Sequence, residues 1–198
     1  MATVAFSAPL PESSALVEDS EFQDHVQRSR ALIQKILQSI PNTHKACVHA
    51  KALQLNSPEN GRLLTIVSII GIPSAPVLKN ISENSSLENS LSQIYEGLQL
   101  HQILLTSVSN RLEKKDKVDA LIADISDLTN QVKKMLRMTP AEEPVPPTPP
   151  QMTLRMPGDY EVQVAAHWTL LQLQDFGQDV NRCLRILERS NDEEETKS

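Results

Sequence analysis

Residues 85–138 read SSLENSLSQIYEGLQLHQILLTSVSNRLEKKDKVDALIADISDLTNQVKKMLRM. Leu87, Leu91, Ile94, Leu98, Leu105, Val108 and Leu112 recur mostly at steps that suit one face of a helix. Val118, Leu121, Ile122, Ile125, Leu128, Val132 and Met135 form a second such series. The few residues around Lys114 and Lys115 can only turn the chain back, so the two helices are expected as antiparallel neighbours.

Two further stripes flank this hairpin. One joins Phe22, Val26, Ile33, Ile36, Leu37 and Ile40; the other joins Val162, Ala166, Leu170, Leu173, Phe176, Val180, Leu184 and Leu187. The four stretches cover about residues 20–40, 85–113, 116–138 and 159–187. At about 1.5 Å rise per residue, each is roughly 30–40 Å long. The connectors 41–84 and 139–158 can each travel that length. The expected fold is all-α: a four-helix bundle in up-up-down-down order, with two long crossover loops. The apolar run from Leu63 to Ile70 is too greasy for a solvated loop and predicts a short extra helix or extended segment, stopped by Gly71 and Pro73.

End signals refine the boundaries. Ser20 with Gln23 and Ser85 with Glu88 have capping-box spacing, Asp116 is a good cap, and Asp159 follows Pro157-Gly158. Pro41 is expected to end the first helix and Pro140 the third. Gly97 costs its helix about 1 kcal/mol relative to Ala but lets a neighbouring helix approach. Residues 1–19 and 188–198 lack periodicity and are expected as a flexible arm and a disordered acidic tail around one domain, 20–187.

Composition bounds the function. Aromatics are 3% of the chain, so the core must be mostly Leu, Ile and Val. A net charge of −6 argues against nucleic acid, which needs a basic face. No apolar run approaches the roughly 20 residues of a membrane span. Ala5-Phe6-Ser7 before Ala8-Pro9 resembles the small-x-small end of a leader cleavage site, or else is part of a polar arm.

No motif for catalysis stands out, and no phosphate-cradling loop or cofactor pattern is present. His44, Cys47 and His49 invite a zinc reading, but a structural site wants four ligands, so a polar loop is the expectation. A Cys47–Cys183 disulfide is not expected, because the two positions fall most of a bundle length apart. Asn80-Ile81-Ser82 and Asn84-Ser85-Ser86 fit the N-glycosylation rule, and Thr148 among prolines suits O-glycosylation. Asp124 and Asp127 share a face of the third helix, either as a solvated pair or as a receiver for a partner's arginine.

Gly71-Ile72-Pro73-Ser74-Ala75-Pro76, Leu91-Ser92-Gln93-Ile94-Tyr95-Glu96-Gly97-Leu98 and Leu104-Leu105 resemble the granulocyte colony-stimulating factor family. So do Asp124-Ile125-Ser126-Asp127-Leu128, Leu173-Gln174-Asp175-Phe176 and Arg182-Cys183-Leu184-Arg185-Ile186-Leu187. The likeness covers most of the chain after Gly71 and marks a member divergent from the mammalian ones. It implies a secreted, monomeric, interleukin-six-like long-chain cytokine without cofactor or enzymatic activity. Such a ligand engages a class I cytokine receptor in a two-to-two complex and drives the granulocyte lineage. It also implies a major receptor site at Glu21, Asp124 and Asp127, and a second at Glu59 and Tyr160. The family's two disulfides are missing: Cys47 lacks its expected partner, and Asn80 and Ser90 occupy the second pair's positions. A looser first crossover follows from that loss. Two rivals remain from the residues alone. A lipid-binding amphipathic bundle would want wider stripes rimmed by Lys and Arg; an intracellular helical adaptor would suit the missing disulfides.

Overall fold

The structure, a computed structural model, describes residues 12–78, 86–140 and 151–195. Among them the chain is all-helical, with no strand. In order, α1 is Glu12–Val17, α2 Ser20–Cys47, α3 Leu64–Ile70, α4 Leu87–Ser109, α5 Asp116–Met138 and α6 Asp159–Glu195, with a 3-10 turn, Asn60–Leu63, leading into α3. Helix α2 packs on α5 and α6, α4 packs on the same two, and α3 lies on α6.

Side-chain pairs fix the directions. His25 Nδ1 meets Gln131 Oε1 at 2.7 Å and Lys35 Nζ meets Asp124 Oδ1 at 2.7 Å, so α2 and α5 run antiparallel. Gln23 Nε2 donates to Leu187 O at 3.3 Å, while His44 near the other end of α2 meets His167, so α2 and α6 are antiparallel too. Arg30 and Glu188 form a half-buried ion pair on the same seam. Ser109 Oγ donates to Asp119 Oδ1 at 2.5 Å across the α4–α5 turn.

The core follows the stripes. Phe22, Val26, Ile33, Ile36 and Ile40 of α2 are fully buried, as are Leu91, Leu98 and Val108 of α4 and Ile125, Leu128, Val132 and Met135 of α5. Burying one such side chain contributes about 1.5–3 kcal/mol. Leu37, Leu112 and Ile122 are half-buried at the stripe edges. Helix α6 differs from the others. From Val162 to Leu170 nearly every residue is buried, including His167 and Thr169, because α2, α4 and α3 cover it from several sides. Trp168, the chain's sole tryptophan, stays half-buried against this core.

Several boundaries depart from expectation. Pro41 does not end α2, which continues to Cys47. The proline ring is exposed, and Ile40, Thr43 and Cys47 prolong the buried stripe beyond it. Thr43 Oγ1 donates back to Ser39 O at 2.9 Å. This packing outweighs the roughly 3 kcal/mol that an internal proline costs. Asp19, not Ser20, caps α2, its carboxylate accepting from Glu21 N at 2.9 Å and Phe22 N at 3.0 Å. Gln23 is therefore free of the capping box and ties Val17 O and Leu187 O instead. The arm before it holds the short helix α1, anchored by half-buried Leu16 and Val17.

Ser86 caps α4, accepting from Asn89 N at 3.2 Å; α4 ends at Ser109, and Asn110 closes it. Asp116 is the first residue of α5 rather than its cap, and its neighbour Lys115 supplies no side-chain bond. The fourth stretch does not stop at Leu187 but continues to Glu195, since no Gly or Pro interrupts residues 188–195. Ser85 and the proline-rich tract 141–150 lie outside the described residues.

The Leu63–Ile70 run is helical over α3, but it buries only one face. Val67 and Ile70 point inward, whereas Leu64 and Ile69 are exposed. Gly71 ends it at φ 89°, the left-handed conformation that favours glycine, with Gly71 N and Ile72 N both donating to Val67 O.

Gly97 is a point of close approach between α4 and α6. A Cβ there would overlap the ring of Phe176 at Cζ and Cε2. Gly97→Ala should therefore destabilise the protein by about 1–3 kcal/mol, the overpacking cost exceeding the gain in helix propensity. Gly61→Ala, with nothing within 4 Å of the added carbon, should leave stability within about 0.5 kcal/mol. Urea unfolding followed by circular dichroism compares the two; equal midpoints would remove the close-packing argument.

Candidate functional site

Helix α5 turns Leu121, Ile125 and Leu128 inward, which leaves Asp124 and Asp127 toward its outer side. The two carboxylates are not equivalent. Asp124 keeps 13% of its side chain exposed and is held by Lys35 of α2, itself 65% exposed. Asp127 is exposed and has no ion-pair or hydrogen-bond partner among the described residues. A pair with one solvent-exposed partner, as Lys35 is here, contributes on the order of 1 kcal/mol, so another cation can replace the lysine.

Glu21 is exposed in the first turn of α2. It lies fourteen positions before Lys35, roughly 20 Å along the helix at 1.5 Å per residue. The fold brings Asp124 and Asp127 together but sets Glu21 well apart from them. Lys35 is the residue that sequence reasoning missed here. Its partner is 89 positions away, and no local signal announces it.

Glu59 and Tyr160 belong to another region, around α6. Glu59 precedes the 3-10 turn and pairs with Arg62 at 3.2 Å, both well exposed. Tyr160 is in the first turn of α6 and 49% exposed. The crossover is fastened close to both. Gln163 Oε1 accepts from His49 N at 2.9 Å and from Ala50 N at 2.8 Å. His167 Nε2 meets Asn60 Oδ1 at 2.9 Å, next to Glu59. Tyr160 is two turns before His167 on the same helix.

His44, Cys47 and His49 do not form a polar loop. His44 and Cys47 belong to the last turn of α2, and Cys47 is buried, because the helix runs on past Pro41. Among the described residues no group of three or more His, Cys, Asp or Glu could hold a metal ion. Cys47 and Cys183 are both free and buried. Burial pushes the Cys47 thiol up to about 11, against a smaller opposing effect of its backbone hydrogen bond. Burial, and then Asp179, also raise Cys183. Asn80, Asn84 and Thr148 lie outside the described residues.

Buried histidines are the polar feature that the sequence did not reveal. His101 is fully buried, its ring stacked on Phe176 with centroids 5.1 Å apart. Its Nδ1–H donates to Gly97 O at 2.6 Å, while Nε2 has no partner. Burial lowers its pKa to about 4, against a weaker upward pull from the Gly97 carbonyl. His167 is lowered to about 4 as well, by burial and then by His44, and burial lowers His44.

No protein-family model matches the chain, and no curated protein sequence matches it.

A histidine pKa lowered by folding means that the unfolded chain takes up more protons. The stabilising share of His101 is therefore complete above pH 6.5 and lost as the pH falls toward about 4. His101→Leu should keep its helix and flatten part of that acid loss in urea titrations at pH 7 and 5; an unchanged slope would show that His101 does not carry it. Native Cys47 should resist iodoacetamide at pH 8 and react at once in urea, as mass spectrometry of the labelled chain would show.

Proposed function

We propose that the four long helices α2, α4, α5 and α6 form an up-up-down-down bundle with two crossovers, and that the protein is a secreted, monomeric helical cytokine. The observation that carries this reading is the direction of the helices. Antiparallel ties join α2 to α5 and to α6, and a tight turn joins α4 to α5. With α4 antiparallel to α5, the pairs α2/α4 and α5/α6 each point one way. The long connectors and the extra helix α3 on α6 fit the same plan. Such a fold does not by itself imply a function. The resemblance of the segments at Gly71–Pro76, Leu91–Leu98, Asp124–Leu128 and Arg182–Leu187 to the granulocyte colony-stimulating factor family supplies the class.

In this reading the ligand works by geometry, not by chemistry. The outer face of α5, with Asp127 free and Asp124 held loosely by Lys35, offers carboxylates to arginines of a class I cytokine receptor ectodomain. Glu59 and Tyr160 near the start of α6 belong to a second contact surface that recruits another receptor chain. Two ligands and two receptors then form the signalling assembly that promotes granulocyte-lineage growth. Glu21 would contribute at the outer end of the first surface. Among the described residues no helix is long and apolar enough to cross a membrane.

The test is binding of the purified chain to a granulocyte colony-stimulating factor receptor ectodomain, with stoichiometry read by light scattering. A two-to-two complex is expected, and absence of any binding would overturn the functional reading. Asp127→Lys, which disturbs no intramolecular pair, should weaken binding at least tenfold with unchanged helicity. Wild-type affinity in that variant would remove the α5 site while leaving the cytokine reading in place.

A further inference from the structure

Three elements meet at one hydrogen-bonded chain. Asn60 of the first crossover uses its amide Nδ2 to bond Gln54 O at 3.2 Å and Leu55 O at 3.1 Å, so its Oδ1 is the acceptor left for His167. His167 Nε2 must then carry hydrogen and donate to it at 2.9 Å. That leaves His167 Nδ1 as an acceptor, filled by the Nε2–H of His44 at 2.9 Å. Both rings are neutral in this arrangement. The chain runs from α2 through α6 to the 3-10 turn before α3, and His167 is fully buried.

We propose that the His44–His167–Asn60 chain is an acid latch, holding the first crossover against α6 at neutral pH and releasing it on acidification. The reason lies in donors and acceptors. A first proton on His167 Nδ1 obliges His44 to surrender its Nε2 hydrogen or turn away. A second proton leaves two cationic rings, with donors facing each other across 2.9 Å. Neither state is stabilised by a carboxylate. From α2, the titratable group facing His167 is His44 itself. From the crossover, Glu59 and Arg62 are engaged with each other in solvent. Helix α3 carries no ionisable residue. On α6, Gln163 is occupied by His49 N and Ala50 N. From α4, the next titratable group is His101, beside Phe176 and nine positions further along α6. Protonation is thus favoured only when the latch opens and water reaches the rings.

The sign follows. Folding lowers the His167 pKa from 6.5 to about 4, so the open form binds the proton more tightly between those values. The latch is complete above pH 6.5 and progressively lost toward about 4. The lowered value supports the latch but does not replace the geometry. The latch stands without the cytokine reading; its bearing on Glu59 rests on that reading. If Glu59 serves a second receptor contact, that contact comes apart in an acidic compartment while the α2–α5 face stays assembled.

Hydrogen–deuterium exchange with mass spectrometry tests the latch on the intact chain. After correction for intrinsic rates, opening of residues 55–63 should increase at least tenfold from pH 7 to pH 5, as the shift in His167 requires. Residues 118–136 of α5 should keep their protection, which separates latch release from global unfolding. His167→Gln keeps a donor for Asn60 but cannot titrate, and its crossover should exchange equally at both pH values. Asn60→Ala should already be open at pH 7, with little further change at pH 5, and covers the case that His167→Gln fails to fold. Equal exchange of the wild-type crossover at both pH values would overturn the latch. So would an undiminished pH response in Asn60→Ala.

Discussion

The burial of α6 along its first half is the constraint from which the rest of the structure follows. Between Val162 and Leu170, a helix covered by α2, α4 and α3 keeps almost no wet side on which to place polar groups. Its neighbours must therefore come close, as α4 does where Gly97 lies under Phe176, and must supply partners for whatever polarity the sequence retains. Gly177 shows the same demand from the α2 side, where an added carbon would meet Leu37 Cδ2 at 2.9 Å. Glycine in a helix interior is a propensity loss of about 1 kcal/mol, tolerable only where close packing returns more.

The same constraint explains why polar residues are so precisely engaged near the first crossover. Burying an imidazole without partners is costly, and the cost falls when each nitrogen finds one. His167 meets that condition on both sides. His101 meets it on one side only, which leaves an unpaired Nε2 in the core. The difference separates a ring that joins elements from a ring that merely fills space beside Phe176.

Much of this organisation was legible in the sequence, and the residues show why. The four periodic stripes named the helices correctly, because three- and four-residue spacing is a property of each segment alone. Gly71 stopped α3 as read, since a left-handed turn is a local demand. The ends were less legible. Pro41 failed to stop α2 because Thr43 and Cys47 found burial beyond it, and His44 there meets His167 of α6. Ser20 lost the cap to Asp19 through a one-residue choice that spacing cannot rank. On the outer face, Asp124 and Asp127 looked alike until Lys35 arrived from another helix. His167 carries no local signal of its burial, since hydropathy sees a polar residue and not the crossover whose Asn60 meets it.

One placement has a practical corollary. Trp168 follows His167 directly, is half-buried, and is the chain's single indole. Its emission colour is thus an inbuilt gauge of the solvent around this short span of α6. A spectroscopist needs no dye and no second fluorophore to watch that neighbourhood, and the signal is not diluted by reporters elsewhere.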